Sequence, residues 1–284
     1  RRRRGDRGFA MRLAAAAGKA HDSTSFRNAP ANRSMFDIAH EGDVAILRMA
    51  HGKANALNIE LCSALSKYLA EFRTSQARAL VITGTGGIFS AGVDLLRLSE
   101  GGASYVRKFL PALNAMFAAT FSFPKPIVAA INGHAIAGGC VLACAADKRL
   151  MARDQGRIGV TELLVGVPFP RIAMEIMHHA VVPHRLEDTI FSGATFAPDD
   201  AVVRGLVDEV VDPEALIKRA VVAAQTLAAL SPPAFALTKR QTRASAIERV
   251  ARADHIDEEI VKLWCADETL ARVRDYVSRT FKKS

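Results

Sequence analysis

The chain is poor in cysteine: Cys62, Cys140, Cys144 and Cys265 are the only four in 284 residues. No two of them form a CxxC pair, which argues against a disulfide framework and against a structural zinc site. No run of about 18 uninterrupted apolar residues occurs, so nothing reads as a membrane span. The phosphate-cradling patterns GxxxxGK[ST] and GxGxxG are missing, which disfavours nucleotide binding of those kinds. Internal repeats and low-complexity linkers are missing too. Acidic residues are scarce in residues 1–34, where eight Arg and one Lys face two Asp. That stretch carries +7 of the net charge of +9, leaving only +2 for the other 250 residues. The basicity therefore belongs to one Arg-, Ala- and Ser-rich segment, and no nucleic-acid partner is expected for the rest. The segment fits an organelle-targeting sequence, a nucleic-acid arm or a translated upstream stretch. We read it as a disordered tail outside the fold. The protein is then expected to be cytoplasmic, or in the mitochondrial matrix if the tail is a targeting segment.

What remains is ordinary globular material, 50% hydrophobic and 24% charged, long enough to bury a large core unaided. MFDIAHEGDVAILRMA reads as two short strands around Glu41-Gly42-Asp43. Ile59, Cys62, Leu65, Leu69 and Phe72 fall at helical spacing behind Asn58, a plausible N-cap. ALVITG (79–84) and PIVAAING (126–133) read as buried strands, and KRLMA (148–152) as a further short one. A helix is expected over 103–119 and another over CVLACAAD. Helices dominate after Pro170, with VDEVV (207–211) as a short exception. Three segments follow: the tail (1–34), an α/β core (35–211) and a helical region (212–284).

Three features carry chemistry. Phe89-Ser90-Ala91-Gly92-Val93-Asp94-Leu95 follows a buried strand, and Gly92 permits a tight turn with exposed N–H groups. Taken alone, it is equally a plain strand-to-helix turn. Asn132-Gly133-His134-Ala135-Ile136-Ala137-Gly138-Gly139-Cys140 follows a second buried strand and opens a helix, where N–H donors lack intrahelical acceptors. Two such loops facing each other would give one oxygen two donors, an oxyanion hole. Glu162 is the only ionisable residue from Ile158 to Pro170. It is either a solvent-facing turn carboxylate or a carboxyl in apolar surroundings. In the second case its pKa rises, which suits a base that must return its proton.

Together these segments resemble the crotonase, or enoyl-CoA hydratase/isomerase, superfamily over about residues 35–283. NALN (55–58), FSAGVDL (89–95), INGHAIAGGCVLACAAD (131–147), IGVTELLVGVPFP and SGATFAPDDAVVRGLVDEVV (192–211) carry the resemblance. It implies an α/β spiral of ββα units with a C-terminal helical trimerisation region, acting on acyl-CoA thioesters through an enolate. The partners implied are the substrate and further copies of the chain, as a homotrimer or dimer of trimers. CoA is part of the substrate, so neither cofactor nor metal is expected. Carried over residue by residue, the oxyanion donors fall on Val93 and Gly138 and the carboxylate on Glu162. CoA contacts fall near Ala54, Ala91, Asp94 and Leu95, with Lys53 close to the CoA phosphates. His134 reads as a packed loop histidine, and Cys140 and Cys144 as core.

One position departs from the pattern. Hydratases of this superfamily carry a second Glu directly after the GGC of the second loop, and here that residue is Val141. Valine can neither hold nor deprotonate water. One base and an oxyanion hole still suffice to move a double bond from C3 to C2. Position 141, in the substrate pocket, thus favours the Δ3,Δ2-enoyl-CoA isomerase pattern. A hydratase with a replacement group is the alternative, followed by thioester hydrolysis, decarboxylation or dehalogenation. A non-catalytic acyl-CoA- or RNA-binding homologue is the remote one.

Overall fold

The computed structural model describes residues 35–252 and 255–281, so the reading of residues 1–34 falls outside the described residues. The chain opens with an antiparallel hairpin, β1 (Phe36–Glu41) and β2 (Val44–Met49), turning at Gly42 with φ +62°. Four parallel strands extend it: β3 (Ala79–Thr83), β5 (Ile127–Ile131), β7 (Lys148–Ala152) and β9 (Glu209–Val211). The sheet order is β1-β2-β3-β5-β7-β9.

Side-chain alternation gives this sheet two buried faces. Leu47, Leu80, Ile82, Ile127 and Ile131 point into the larger core. Their neighbours Ile46, Val81, Val128 and Ala130 point into a second one. This explains why the strands read as uninterrupted apolar runs. The second face is covered by a helix at Leu216–Ala228, whose Ala220, Ala223 and Ala224 allow close approach. Packing therefore ties the start of the C-terminal helical region to the sheet.

The larger core is closed by α1 (Ile59–Phe72), α2 (Leu95–Phe121), α3 (Gly138–Cys144) and α4 (Arg171–Ala180). Asn58 caps α1 as the sequence suggests, accepting the Leu61 N–H at 2.9 Å. Lys125 closes its far end, donating to the carbonyls of Phe72, Ser75 and Ala77. Helix α2 begins eight residues before the expected start and breaks at Gly102, with φ 55° and ψ −150°. Gly101-Gly102 hides the first turns from a periodicity count.

Three strands escaped the sequence reading, which took them for loop: β4 (Ile88–Ser90), β6 (His134–Ile136) and β8 (Ile158–Gly159). They form a small parallel sheet, β4-β6-β8. Two or three residues are too few for a period-2 pattern to show. This sheet carries the functional loops.

After α5 (Leu186–Phe191), α6 (Pro198–Arg204) and the sheet-covering α7 (Leu216–Ala228), the chain ends in α8 (Pro232–Ala251), α9 (His255–Cys265) and α10 (Asp267–Phe281). Helix α8 packs on α4, while α9 and α10 pack on α2 of their own chain. Trp264 is the anchor: it is 1% exposed, its indole N–H donates to the Pro168 carbonyl at 2.9 Å, and its ring lies 6.5 Å from that of Phe109. No single helix among the described residues is long and apolar enough to cross a membrane.

Candidate active site

The loop after β2 and the loop after β4 are stitched together. Asn55, fully buried at φ +47°, donates through its amide to the carbonyls of Ile88 and Phe89. Its side-chain oxygen accepts from the His51 N–H. The Ser90 hydroxyl donates to the Asn55 carbonyl and accepts the Gly92 N–H. Ala91 donates to the Ala54 carbonyl at 3.0 Å. Leu57 then forms a parallel bridge across Val93: its N–H donates to Gly92 C=O, and its C=O accepts from Asp94 N–H. In such a bridge the residue between the two bonded neighbours turns its own N–H to the opposite side. The Val93 N–H has no backbone acceptor among the described residues.

The second loop brings Gly138 to the same place. Ala137 sits at φ +51°, strained for a residue with a Cβ, and its N–H is tied to Gly159 C=O at 2.8 Å. Gly138 is the first residue of α3, so its N–H has no intrahelical acceptor. Gly92 lies directly against it: a Cβ there would sit 2.6 Å from the Ile136 carbonyl oxygen and 3.1 Å from the Gly138 nitrogen. At φ +82° and with that clearance, only glycine fits at position 92. Two unclaimed backbone donors, from Val93 and Gly138, thus stand on abutting loops.

Glu162 opens a single 3₁₀ turn, Glu162–Val165, directly after β8. It is 7% exposed, and its Oε2 is buried with no hydrogen-bond partner among the described residues. Burial pushes its pKa from 4.5 up to about 7, although the backbone N–H groups of Glu162 and Thr161 pull it back. A carboxyl balanced there can both take and return a proton near neutral pH. It lies close to α3. Burial first, then the hydrogen bond to Cys144, and then the Cys144 and Glu162 charges push the Cys140 thiol well up. The sequence-based reading of Glu162 as a carboxyl in apolar surroundings therefore matches its position, and the solvent-facing alternative does not.

The remaining candidates sort by contact. Ala54 and Ala91 are joined by the bond given above, and Leu95 is the first residue of α2. Asp94 caps α2 through the Arg97 N–H at 3.1 Å and faces the Arg97 guanidinium at 3.8 Å, so its carboxylate is engaged structurally. Val141 is 1% exposed, one turn into α3. His134 accepts the Arg157 N–H on Nδ1, and burial lowers its pKa. Cys140 and Cys144 are free and buried. Lys53 is exposed. The sequence reading named NALN and FSAGVDL without seeing what Asn55 and Ser90 do, and it passed over Phe117 and Trp264. A Cβ on Gly138 would meet Leu57 Cδ1 at 2.9 Å and Phe117 Cζ at 3.7 Å, so those side chains wall the donor loop.

The profile of the enoyl-CoA hydratase/isomerase family matches residues 39–272. The chain belongs to this family. The short-chain-enoyl-CoA hydratase of Clostridium acetobutylicum is 30% identical over 206 residues, which are 72% of this chain and 78% of that protein. A crystal structure from Mycobacterium tuberculosis described as "probable enoyl-CoA hydratase EchA3" superposes with a TM-score of 0.73 at 30% identity, covering 86% of this chain and all of that one. A second structure from that organism, described as an enoyl-CoA isomerase, gives 0.72 at 30% identity over 82% of this chain and 98% of that one. Human mitochondrial Δ3-Δ2-enoyl-CoA isomerase gives 0.83 at 24% identity over 88% of this chain and all of that one, a likeness of fold. The crotonase-like α/β spiral expected from the sequence is thus the observed fold, and the chain is an enzyme of that family.

Proposed function

We propose that this enzyme shifts a double bond from C3 to C2 in an unsaturated fatty enoyl-CoA, with Glu162 as its proton shuttle. The Glu162 carboxylate takes a proton from Cα. The electron pair moves into the thioester carbonyl, whose oxygen is held by the Val93 and Gly138 N–H groups. Glu162, now protonated, delivers the proton to C4, and the carbonyl re-forms with the double bond conjugated. The CoA portion lies along Ala54, Ala91, Asp94 and Leu95, and no separate cofactor or metal takes part. The observation that carries this reading is the buried Glu162 carboxyl, whose Oε2 has no partner among the described residues and whose pKa is near 7, beside a helix whose position 141 is valine. Water has no second carboxylate to hold and activate it there.

Leu163 and Leu164 of the Glu162 turn and Phe191 of α5 are exposed, at 43%, 60% and 68%. We read them as the face on which further copies of the chain pack, as a homotrimer or a dimer of trimers. The deciding experiment assays one preparation with a 3-enoyl-CoA and a 2-enoyl-CoA. Isomerisation appears as new ultraviolet absorbance with the first, hydration as its loss with the second. Rapid loss with the second substrate and no gain with the first would replace this reading with the hydratase one, the activity in the names of several relatives.

A further inference from the structure

At the C-terminal end of α3, about 10 Å along the helix from Gly138 at 1.5 Å per residue, a separate cavity of about 280 Å³ opens between α4 and α8. Three cationic side chains line it: Arg149, Lys239 and Arg243, which are 12%, 6% and 4% exposed. Asp147 is the single carboxylate among its described lining residues.

The local charges do not balance. Arg149 is matched by Asp208 in a two-bonded pair at 3.1 and 2.6 Å. Lys239 and Arg243 share Asp147, at 2.7 Å on one oxygen and 2.9 Å on the other. Arg243 also donates to the carbonyls of Phe121, Ala145 and Ala146, so its guanidinium is fixed at the end of α3. Nearby His179 has its pKa lowered by burial and then by the Arg243 charge. Two buried cations on one carboxylate leave a net positive charge in low dielectric, which is costly unless compensated. Burial, and after it the Arg243 charge, pushes Lys239 down to about 8 against the pull of Asp147.

We propose that this cavity is a binding site for a small free oxyanion of the phosphate type, held by Lys239 and Arg149 with the Thr238 hydroxyl at the rim. The site is outside the acyl-CoA chemistry and needs no contribution from Glu162. Charge-assisted bonds from ammonium and guanidinium groups are the usual means of holding such an anion.

The probe is inorganic phosphate, followed by thermal unfolding of the whole chain at constant ionic strength, with chloride as the control. Phosphate should raise Tm with the logarithm of its concentration above Kd, by a few degrees at ten times its Kd. Lys239→Met should abolish the rise. Should that variant fail to fold, Thr238→Glu places a carboxylate at the rim. It should raise Tm in phosphate-free buffer and remove the phosphate response. Coenzyme A, whose phosphates are attached to a nucleotide, should leave the response unchanged. No rise, an equal rise with chloride, an undiminished response in Thr238→Glu, or displacement of phosphate by coenzyme A would each overturn the assignment.

Discussion

Replacing Glu162 by Gln separates the charge of this side chain from its shape. In the native protein the group titrates near 7, whereas an exposed carboxylate in the unfolded chain titrates near 4.5. Between those values the folded state holds a proton that the unfolded state releases, so stability falls as pH rises through the window. At about 1.4 kcal/mol per pKa unit, ~3 kcal/mol is present below pH 4.5 and lost by pH 8. Glu162→Gln carries no such penalty. Its amide must also occupy the site of the unpartnered Oε2, which gives a constant offset of about 1–3 kcal/mol whatever the pH. About 2.5 kcal/mol of this falls between pH 5 and pH 8.5, so the difference in Tm between variant and wild type should move in favour of Gln by roughly 5 °C over that range, at about 2 °C per kcal/mol. Circular dichroism melts across that range measure it directly. A difference in Tm that does not change with pH would show that Glu162 is not a buried carboxyl titrating near neutrality. The same variant should bind acyl-CoA while losing roughly 10²–10⁴ in kcat, and wild-type kcat/KM should rise through about pH 7 as the base ionises.

Three further substitutions test the surroundings of Glu162. Gly138→Val pushes branched methyl groups towards Leu57 and Phe117 and blocks the approach to its N–H. kcat/KM should drop by about 10²–10³ in a folded protein, and an unaltered value would contradict the donor pair. Asn55→Ala removes the strut between the first two loops, leaving the buried carbonyls of Ile88 and Phe89 short of a donor. A loss of about 2–3 kcal/mol by urea unfolding is expected, with kcat reduced alongside. Val141→Glu should add slow hydration of a 2-enoyl-CoA to an enzyme that otherwise hydrates poorly. The gain is limited because a buried carboxylate without supporting bonds tends to stay protonated. Fast hydration by the wild type would remove Val141 as the reason for the reaction choice.

The sequence determined the elements whose signal is local. Apolar runs at β3 and β5, helical spacing with an Asn58 cap at α1, and a lone Glu in an apolar stretch are all properties of neighbouring residues. Each survived folding because burial in this protein reinforces the local preference. The two glycine loops were legible for the same reason, since glycines cluster at tight turns, and at Gly92 a Cβ does not fit.

Tertiary structure decided what depends on distant partners. The strands β4, β6 and β8 exist only because three short segments, far apart in the chain, satisfy each other's backbone groups. Asn55 acts across more than thirty residues, and no pattern around it says which carbonyls it will meet. The raised pKa of Glu162 required the walls that bury it, and Trp264 reaches Pro168 only because α9 folds back on α2. A sequence records which groups need a partner; which partner each one finds is fixed when the chain closes on itself.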